Sequence, residues 1–261
     1  MRRIPDKDLL SSDTILQLNS IGLSEVPELI GELESSSGWH KLTFTEKLAQ
    51  LINLLYQEKQ SAAIKRLKKA ARLRYPNASL SSIDYREDRK LDRKKMVEIG
   101  SLAFLRWNIN IVIEGPTGSG KTYIACALGV AGCEKLYKTM YVRFPELLQA
   151  YDELYDNPGA KRRFIKKFAG YPILIIDEWL MKEISAIHQD MIFEIIEMRH
   201  TAHSTIFCTQ YPMENWLERL GENTRGEAIL DRIIHNSQKI HAGSINMRRL
   251  EGEKKKEAAK V

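Results

Sequence analysis

Residues 115–122, Gly-Pro-Thr-Gly-Ser-Gly-Lys-Thr, fit the pattern G-x-x-x-x-G-K-[ST], which strongly limits what this chain can fold into. An apolar run at 109–113 precedes the pattern, and a helical pattern at 121–136 follows it. In that context glycines let the backbone fold around a phosphate, and the helix N-terminus attracts the negative charge. The sequence therefore predicts a phosphate-binding loop that contacts a nucleotide through Gly115, Pro116, Thr117, Gly118, Ser119, Gly120, Lys121, Thr122 and Tyr123.

Four side chains predict the chemistry of this site. Lys121 is expected to reach the β and γ phosphates of a nucleoside triphosphate, and the Thr122 hydroxyl is expected to hold Mg²⁺. The apolar run 173–176 ends in Asp177 and Glu178, where parallel strands meet a ligand. We expect Asp177 beside the Mg²⁺ and Glu178 to orient and deprotonate an attacking water, which favours hydrolysis over transfer to a metabolite.

Two further candidates lie at the carboxyl end of a later strand-like run that begins at residue 204. Thr209 and Gln210 end that run, where their side chains can hydrogen-bond the γ-phosphate or the attacking water. The alternative is an ordinary strand-end turn before Tyr211 and Pro212.

Strand-like and helical patterns alternate from residue 109 onward. Because nearly all-apolar strands are typical of a parallel sheet covered on both faces, we predict a three-layer α/β domain with a five-stranded parallel sheet. The predicted strands are 109–113, 139–144, 173–176, 204–208 and 239–241, and the predicted helices are 121–136, 145–155 and 186–200.

The residues upstream of this domain have helical patterns. Thr43 and Glu46 have the spacing of a capping box, and a long helical pattern follows and ends before Tyr75 and Pro76. Residues 82–108 are predicted to form another helix. We therefore expect a helical N-terminal region at 1–80 for partner or DNA interaction, a nucleotide-binding domain at 81–250 and a basic flexible tail at 251–261.

The formal net charge of +6 is unevenly distributed. Residues 59–95 contain 13 lysines and arginines against 4 acidic residues, and residues 161–167 contain five cations. Basic clusters are typical of proteins that bind a polyanion, although such runs also occur as solvated helix faces. Sequence-tolerant contact with the DNA backbone is the functional interpretation. Its candidate residues are Arg143, Lys161, Arg162, Arg163, Lys166 and Lys167.

Other patterns exclude several classes of protein. No apolar run approaches the roughly 18 residues of a membrane span, and the first residues lack the apolar core of a secretory signal. Cys126, Cys133 and Cys208 lie in apolar segments and cannot all pair with one another, so we expect reduced thiols in a cytoplasmic protein.

The order of five motifs carries a family resemblance. Asp177-Glu178, Thr209-Gln210, Ile-Leu-Asp-Arg-Ile at 229–233 and Gly-Ser-Ile-Asn-Met-Arg at 243–248 follow the phosphate loop. Over about residues 42–250 the chain resembles the AAA+ ATPases of the DnaC/IstB branch, and within it the IstB-like helper ATPases of insertion-sequence transposition. The last motif departs from the Ser-Tyr-Arg that is usual in that family.

The resemblance implies a P-loop AAA+ core that hydrolyses ATP with Mg²⁺. It implies that Arg232 enters the nucleotide site of a neighbouring subunit, and that Arg248, or the adjacent Arg249, senses the γ-phosphate of its own subunit. Subunits of such proteins assemble as rings or spirals on DNA, so further copies of the chain, DNA and a transposase are the implied partners, with no membrane.

Four functions stay open at this point. The leading hypothesis is a DNA-stimulated ATPase that assembles on duplex DNA and prepares the target for a transposase. A DnaC-like loader of a replicative helicase is the alternative with the same core. A small-molecule kinase would act as a monomer without DNA, and a clamp gated by ATP binding would not need hydrolysis.

Overall fold

The computed structural model describes residues 10–258, apart from the side chains at 87, 251 and 254–258. The chain forms two compact units, which divide between Lys65 and Arg66 within one long helix. The sequence placed the domain boundary at residue 80. The difference arises because Ala71, Leu73 and Ala78 are buried in the apolar core of the second unit.

The first unit is helical. It contains α1 (Ser12–Ser20), α2 (Val26–Glu34), a 3₁₀ turn (Trp39–Lys41) and most of α3 (Phe44–Ala70). The predicted capping box is present, since the Thr43 amide donates to a Glu46 carboxylate oxygen at 2.8 Å. The Glu46 amide in turn donates to the Thr43 hydroxyl at 3.4 Å.

The second unit contains a sheet of five parallel strands. Its spatial order is β2-β3-β4-β1-β5, which confirms the predicted parallel sheet. Every residue of β1, β3 and β4 is buried, as a sheet covered on both faces requires. The strands are β1 (Asn110–Glu114), β2 (Thr139–Arg143), β3 (Ile173–Asp177), β4 (Ser204–Thr209) and β5 (Ser237–His241).

Helices cover both faces of this sheet. Because side chains alternate along a strand, Ile111 and Ile113 of β1 join the apolar cluster that contains α5, whereas Val112 joins the cluster that contains α6, α8 and α10. The fold is therefore the expected three-layer α/β arrangement. Its helices are α4 (Arg93–Gly100), α5 (Lys121–Glu134), α6 (Phe144–Asp152), α7 (Pro158–Ala169), α8 (Ala186–Arg199), α9 (Trp216–Leu220), α10 (Thr224–Ile234) and α11 (Met247–Ala258).

The continuous helix predicted at 82–108 is wrong. The structure has only α4 there, flanked by 3₁₀ turns at Leu80–Ser82, Glu87–Arg89 and Ala103–Trp107. Lys90, Leu102 and Asn108 adopt left-handed φ angles of 56°, 63° and 54°, which no right-handed helix can contain. The segment therefore forms one short helix between turns.

The C-terminal end also differs from the expectation. Residues 251–258 continue α11, where the sequence indicated a flexible tail, and residues 259–261 lie outside the described part of the chain. No helix within the described residues is long and apolar enough to cross a membrane. The three cysteines are free and buried.

Candidate nucleotide-binding site

The phosphate loop joins β1 to α5 at the carboxyl edge of the sheet. Gly118 and Gly120 have φ angles of 83° and 92°, a conformation that glycine adopts without strain. A side chain at Gly118 would also overlap the Asn246 amide, which packs directly on the loop. The two glycines thus allow the loop its tight turn and its close contact with the C-terminal segment.

Lys121 points its ammonium group into the concave side of the loop. Its Nζ donates to the carbonyl oxygens of Gly115 at 2.7 Å and Pro116 at 2.9 Å. Burial lowers the pKa of this lysine, and the nearby Asp177 carboxylate opposes the shift. The ammonium therefore lies where phosphate oxygens of a bound nucleotide would replace the two carbonyls as its acceptors.

Asp177 ends β3 directly opposite the start of α5. Its Oδ2 accepts hydrogen bonds from the Thr122 hydroxyl and the Tyr141 phenol, both at 2.8 Å, and its Oδ1 accepts from the Glu178 amide at 3.0 Å. Burial and the Asp177 charge raise the pKa of Tyr141, which keeps the phenol a donor. A hydroxyl and a carboxylate are oxygen ligands of the kind that Mg²⁺ prefers, so Thr122 and Asp177 fit the metal predicted for them.

Glu178 follows Asp177 in a left-handed conformation, with φ of 58°. Its Oε2 accepts from Arg143 Nη2 at 2.7 Å, and Arg143 Nη1 donates to Glu146 at 3.0 Å. The hydrogen bond to Glu178 raises the pKa of Arg143. The sequence assigned Arg143 to DNA contact. The structure instead brings its guanidinium between two carboxylates, one of which is the candidate catalytic base.

Thr209 and Gln210 have different surroundings although they are adjacent. The Thr209 side chain is fully buried, and its hydroxyl donates to the Trp179 carbonyl at 3.2 Å and accepts from the Tyr211 amide at 3.1 Å. Gln210 reaches the phosphate loop, where its Oε1 accepts from the Thr117 hydroxyl at 2.7 Å. Of the two predicted contacts, Gln210 is therefore the one whose side chain lies beside the loop.

Arg248 and Arg249, the two candidates for sensing the γ-phosphate, also have different surroundings. Arg248 is exposed and lines the cavity beside the phosphate loop. Arg249 points to its own helix, where Nε donates to Glu253 at 2.9 Å. The geometry favours Arg248 as the residue that meets a nucleotide in its own subunit.

Arg232 lies on α10, outside the lining of this cavity. It forms an ion pair with Glu197 of α8, its Nη1 donates to the Ala228 carbonyl at 2.9 Å, and its guanidinium lies 5.1 Å from the Phe193 ring centre. The structure therefore does not bring Arg232 together with the phosphate loop of its own chain.

The cavity has a volume of about 400 Å³ and is lined by the phosphate loop, both acidic residues and the end of β4. Sequence reasoning missed part of its wall, because Arg74, Tyr75, Ser82 and Met247 also line it. Tyr75 packs against Tyr123 of α5 with ring centres 5.9 Å apart. Met247 belongs to the motif at 243–248, whereas no local motif marked Arg74, Tyr75 and Ser82, which the folding of segment 71–92 against α5 brings to the site.

The basic cluster on α7 lies apart from this cavity. Arg162, Arg163, Lys166 and Lys167 are exposed, while Lys161 is half-buried with its ammonium 5.4 Å from the Tyr151 ring centre. Within the described residues none of the five forms an ion pair with a carboxylate, although Lys167 lies over the Phe168 ring. Arg162 and Lys166 are one turn apart, as are Arg163 and Lys167, so the four exposed cations share one side of the helix.

The sequence profile of the IstB-like ATP binding proteins matches residues 16–257. The chain belongs to this family. It is 30% identical to an insertion-sequence ATP-binding protein of Sinorhizobium fredii over 241 residues, which cover 92% of this chain and 98% of the relative. An IS1162 ATP-binding protein of Pseudomonas fluorescens is also 30% identical over 204 residues, or 78% of this chain and 88% of that protein.

Solved structures confirm the P-loop AAA+ fold. A DnaC helicase loader superposes with a TM-score of 0.54 at 21% identity, covering 64% of this chain and 98% of the loader. AMPPCP-bound DnaA from Aquifex aeolicus superposes with a TM-score of 0.53 at 19% identity, covering 70% of this chain and 56% of DnaA. The chain is therefore an IstB-like ATP-binding protein with this fold, and the cavity beside the phosphate loop is its candidate nucleotide site.

Proposed function

We propose that this protein hydrolyses ATP with Mg²⁺ and uses the nucleotide to control its assembly on DNA during insertion-sequence transposition. The observation that carries the proposal is the convergence of Lys121, Thr122, Asp177 and Glu178 on one cavity beside Gln210 and Arg248. Family membership adds the context, because the relatives are named as insertion-sequence ATP-binding proteins.

In the proposed reaction Lys121, Gln210 and Arg248 hold the γ-phosphate, and Glu178 orients and deprotonates the attacking water. Mg²⁺, held by Thr122 and Asp177, would neutralise charge on the phosphates. The ion pair with Arg143 occupies Oε2 of Glu178 and limits how this carboxylate can turn toward the attacking water. A change at Arg143 therefore regulates the catalytic base.

The proposed assembly uses two surfaces outside the cavity. The exposed cations of α7 bind the phosphate backbone of DNA, and such contacts give affinity with little sequence preference. Arg232 lies outside its own nucleotide site and acts on the site of a neighbouring copy, where it stabilises transition-state charge. The assembled protein then presents DNA to a transposase.

A DnaC-like helicase loader is the alternative partner assignment. The chain is 21% identical to the DnaC loader, and that similarity shows the fold alone. The insertion-sequence relative from Sinorhizobium fredii is 30% identical over 92% of the chain. The transposition role is therefore the better supported. Capture of a replicative helicase rather than the transposase by the purified protein would reverse this choice.

Production of ADP from ATP, measured with and without duplex or single-stranded DNA, tests the proposal. We expect DNA to stimulate the wild type, and Lys121→Ala to lower turnover by about 100-fold or more because the main cation on the phosphates is lost. Lys138→Ala, which removes an exposed lysine elsewhere on the domain, is the matched control and keeps wild-type turnover. A wild type that neither hydrolyses ATP nor assembles on DNA in electron micrographs contradicts the proposal.

A further inference from the structure

Arg89 is a buried arginine that no motif of the site includes. It ends the 3₁₀ turn Glu87–Arg89, and only 3% of its surface is exposed. Its three hydrogen bonds all go to main-chain carbonyl oxygens: Asp84 at 2.6 Å, Ser119 at 3.0 Å and Ala242 at 3.1 Å. One guanidinium thus joins its own segment, the phosphate loop and the residue that follows β5.

A buried guanidinium is costly unless its donors are satisfied. Burial lowers the pKa of Arg89, and the charge of Asp84 opposes the shift. The planar fork of an arginine can reach carbonyls in three directions at once, which a lysine ammonium cannot do over the same span. The group is therefore suited to hold three separate segments at fixed distances.

Two glycines make room for this side chain. A Cβ at Gly120 of the phosphate loop would lie 2.9 Å from Arg89 Nη2, and a Cβ at Gly243 would overlap the Arg89 carbonyl. Both glycines have positive φ angles, 92° and 94°. Arg89 therefore lies between the last glycine of the loop and the first residue of segment 243–248.

Segment 243–248 connects this contact to the cavity. The Met247 amide donates to the Gly118 carbonyl at 2.9 Å, and Arg248, the next residue, lines the cavity. The segment is thus fixed to the phosphate loop at one end through Arg89 and at the other through Met247. Loss of the Arg89 contact removes the bond to the Ala242 carbonyl, so that this end is held only through the Ala242 amide, which donates to the Glu114 carbonyl at 2.8 Å.

We propose that Arg89 is a positioning residue for the nucleotide site: it sets the distance between the phosphate loop and Arg248, and so sets the affinity for ATP without touching the nucleotide. The sequence placed Arg89 in the basic run 59–95, which was interpreted as a polyanion-binding surface or a solvated helix face. The inference rests on the proposed function only in requiring that the cavity binds ATP.

The test is the affinity of the full-length protein for a fluorescent ATP analogue. We expect Arg89→Ala to bind about tenfold or more weakly, because supporting contacts of this kind typically contribute 10- to 100-fold. Guanidinium at low millimolar concentration, far below denaturing levels, is expected to restore part of the affinity, whereas methylammonium is not. Arg86→Ala is the matched control. It removes a half-exposed arginine that lies three residues before Arg89 and pairs with Asp84, and its ATP affinity is expected to stay within about twofold of the wild type.

Arg89→Lys separates positioning from folding. It keeps the charge but cannot reach the three carbonyls, so we expect a folded protein with a lower melting temperature and a reduced ATP affinity. Wild-type affinity in folded Arg89→Ala or Arg89→Lys overturns the proposal. Equal rescue of ATP affinity by methylammonium also overturns it. An Arg89→Lys variant that loses its fold overturns it as well, because the role of Arg89 would then be purely structural. Failure of the wild type to bind ATP would instead refute the proposed function.

Discussion

The Asp177 carboxylate accepts hydrogen bonds from three donors, and only Thr122 belongs to the phosphate loop. The Tyr141 phenol reaches Oδ2 from β2, and the Glu178 amide reaches Oδ1. Each donor removes a direction in which the carboxylate could turn. Since a metal ligand binds best when its neighbours already hold it in place, we expect Tyr141 to support the proposed Mg²⁺ site although it is no ligand itself.

We expect Tyr141→Phe to raise the Mg²⁺ concentration required for half-maximal ATP hydrolysis by about tenfold, because one of two donors to Oδ2 is lost. Affinity for the ATP analogue in the presence of EDTA stays at the wild-type value, since the phosphate loop is intact. Tyr137→Phe is the control, because that tyrosine lies on the surface at 37% exposure. An unchanged Mg²⁺ requirement in Tyr141→Phe contradicts the role assigned to the phenol.

Arg143 holds the candidate base, so its removal should release Glu178. A half-exposed ion pair contributes up to about 1 kcal/mol, and we therefore expect Arg143→Ala to raise hydrolysis without DNA by at most about fivefold. Stimulation by DNA shrinks by the same factor. The double variant Arg143→Ala/Glu178→Gln stays inactive and shows that the gain passes through Glu178. A lower basal rate in Arg143→Ala would mean that the arginine assists the reaction instead.

Some contacts of individual site residues were predictable from the sequence and others were not. Lys121, Thr122 and Asp177 were predictable because a short motif fixes their places at a strand end and a helix start. The partner of Arg143 was not, because it depends on the register in which Arg143 of β2 pairs with Asp177 of β3. Register is decided by pairing across the sheet, which no local pattern specifies.

Among the helices, α7 carries four exposed cations that lie side by side, and the described chain offers none of them a carboxylate partner. We expect Arg162→Ala/Lys166→Ala to weaken DNA binding and to lower the slope of log affinity against log salt by about 2, since each phosphate contact contributes about 0.9. ATP hydrolysis without DNA is unchanged.

The control for this prediction removes the same charge elsewhere. Lys138→Ala/Lys182→Ala deletes two exposed lysines outside α7, and we expect the salt slope to stay at the wild-type value. Equal loss of slope in both double variants would show that net charge rather than the α7 face binds DNA.

Strong periodicity predicted the sheet and α5, α8 and the long α3, whose ends are within a few residues of the expectation. It failed at 82–108, where Leu91 precedes α4 and Leu102 and Leu105 follow it in turns. The left-handed residues Lys90 and Leu102 carry no glycine or proline signal. Contacts such as those of Arg89 hold that backbone in place, and they join residues up to 153 positions apart.

At the scale of the whole molecule, the chain holds a phosphate loop and Arg232 in separate places. Arg232 pairs with Glu197 on the surface formed by α8 and α10, so one copy cannot bring it to its own ATP. Catalysis through Arg232 therefore requires a neighbour. An arginine delivered in this way raises the rate by neutralising transition-state charge, and its loss is expected to leave ATP affinity intact.

A mixing experiment follows from this arrangement. Arg232→Ala and Lys121→Ala are each expected to lose hydrolysis by about 100-fold or more. In an equal mixture, an Arg232→Ala chain keeps its phosphate loop and receives Arg232 from a Lys121→Ala neighbour. Random head-to-tail pairing forms such interfaces in roughly a quarter of cases, so we expect about that share of wild-type turnover to return.

The control mixture combines Lys121→Ala with Glu178→Gln. Both changes disable the site on the chain that carries them, so no interface in that mixture contains an intact loop, base and arginine together. It is therefore expected to stay inactive. A mixture of Arg232→Ala and Lys121→Ala that is as inactive as its parents would mean that Arg232 serves its own chain, and that the ion pair with Glu197 is its role.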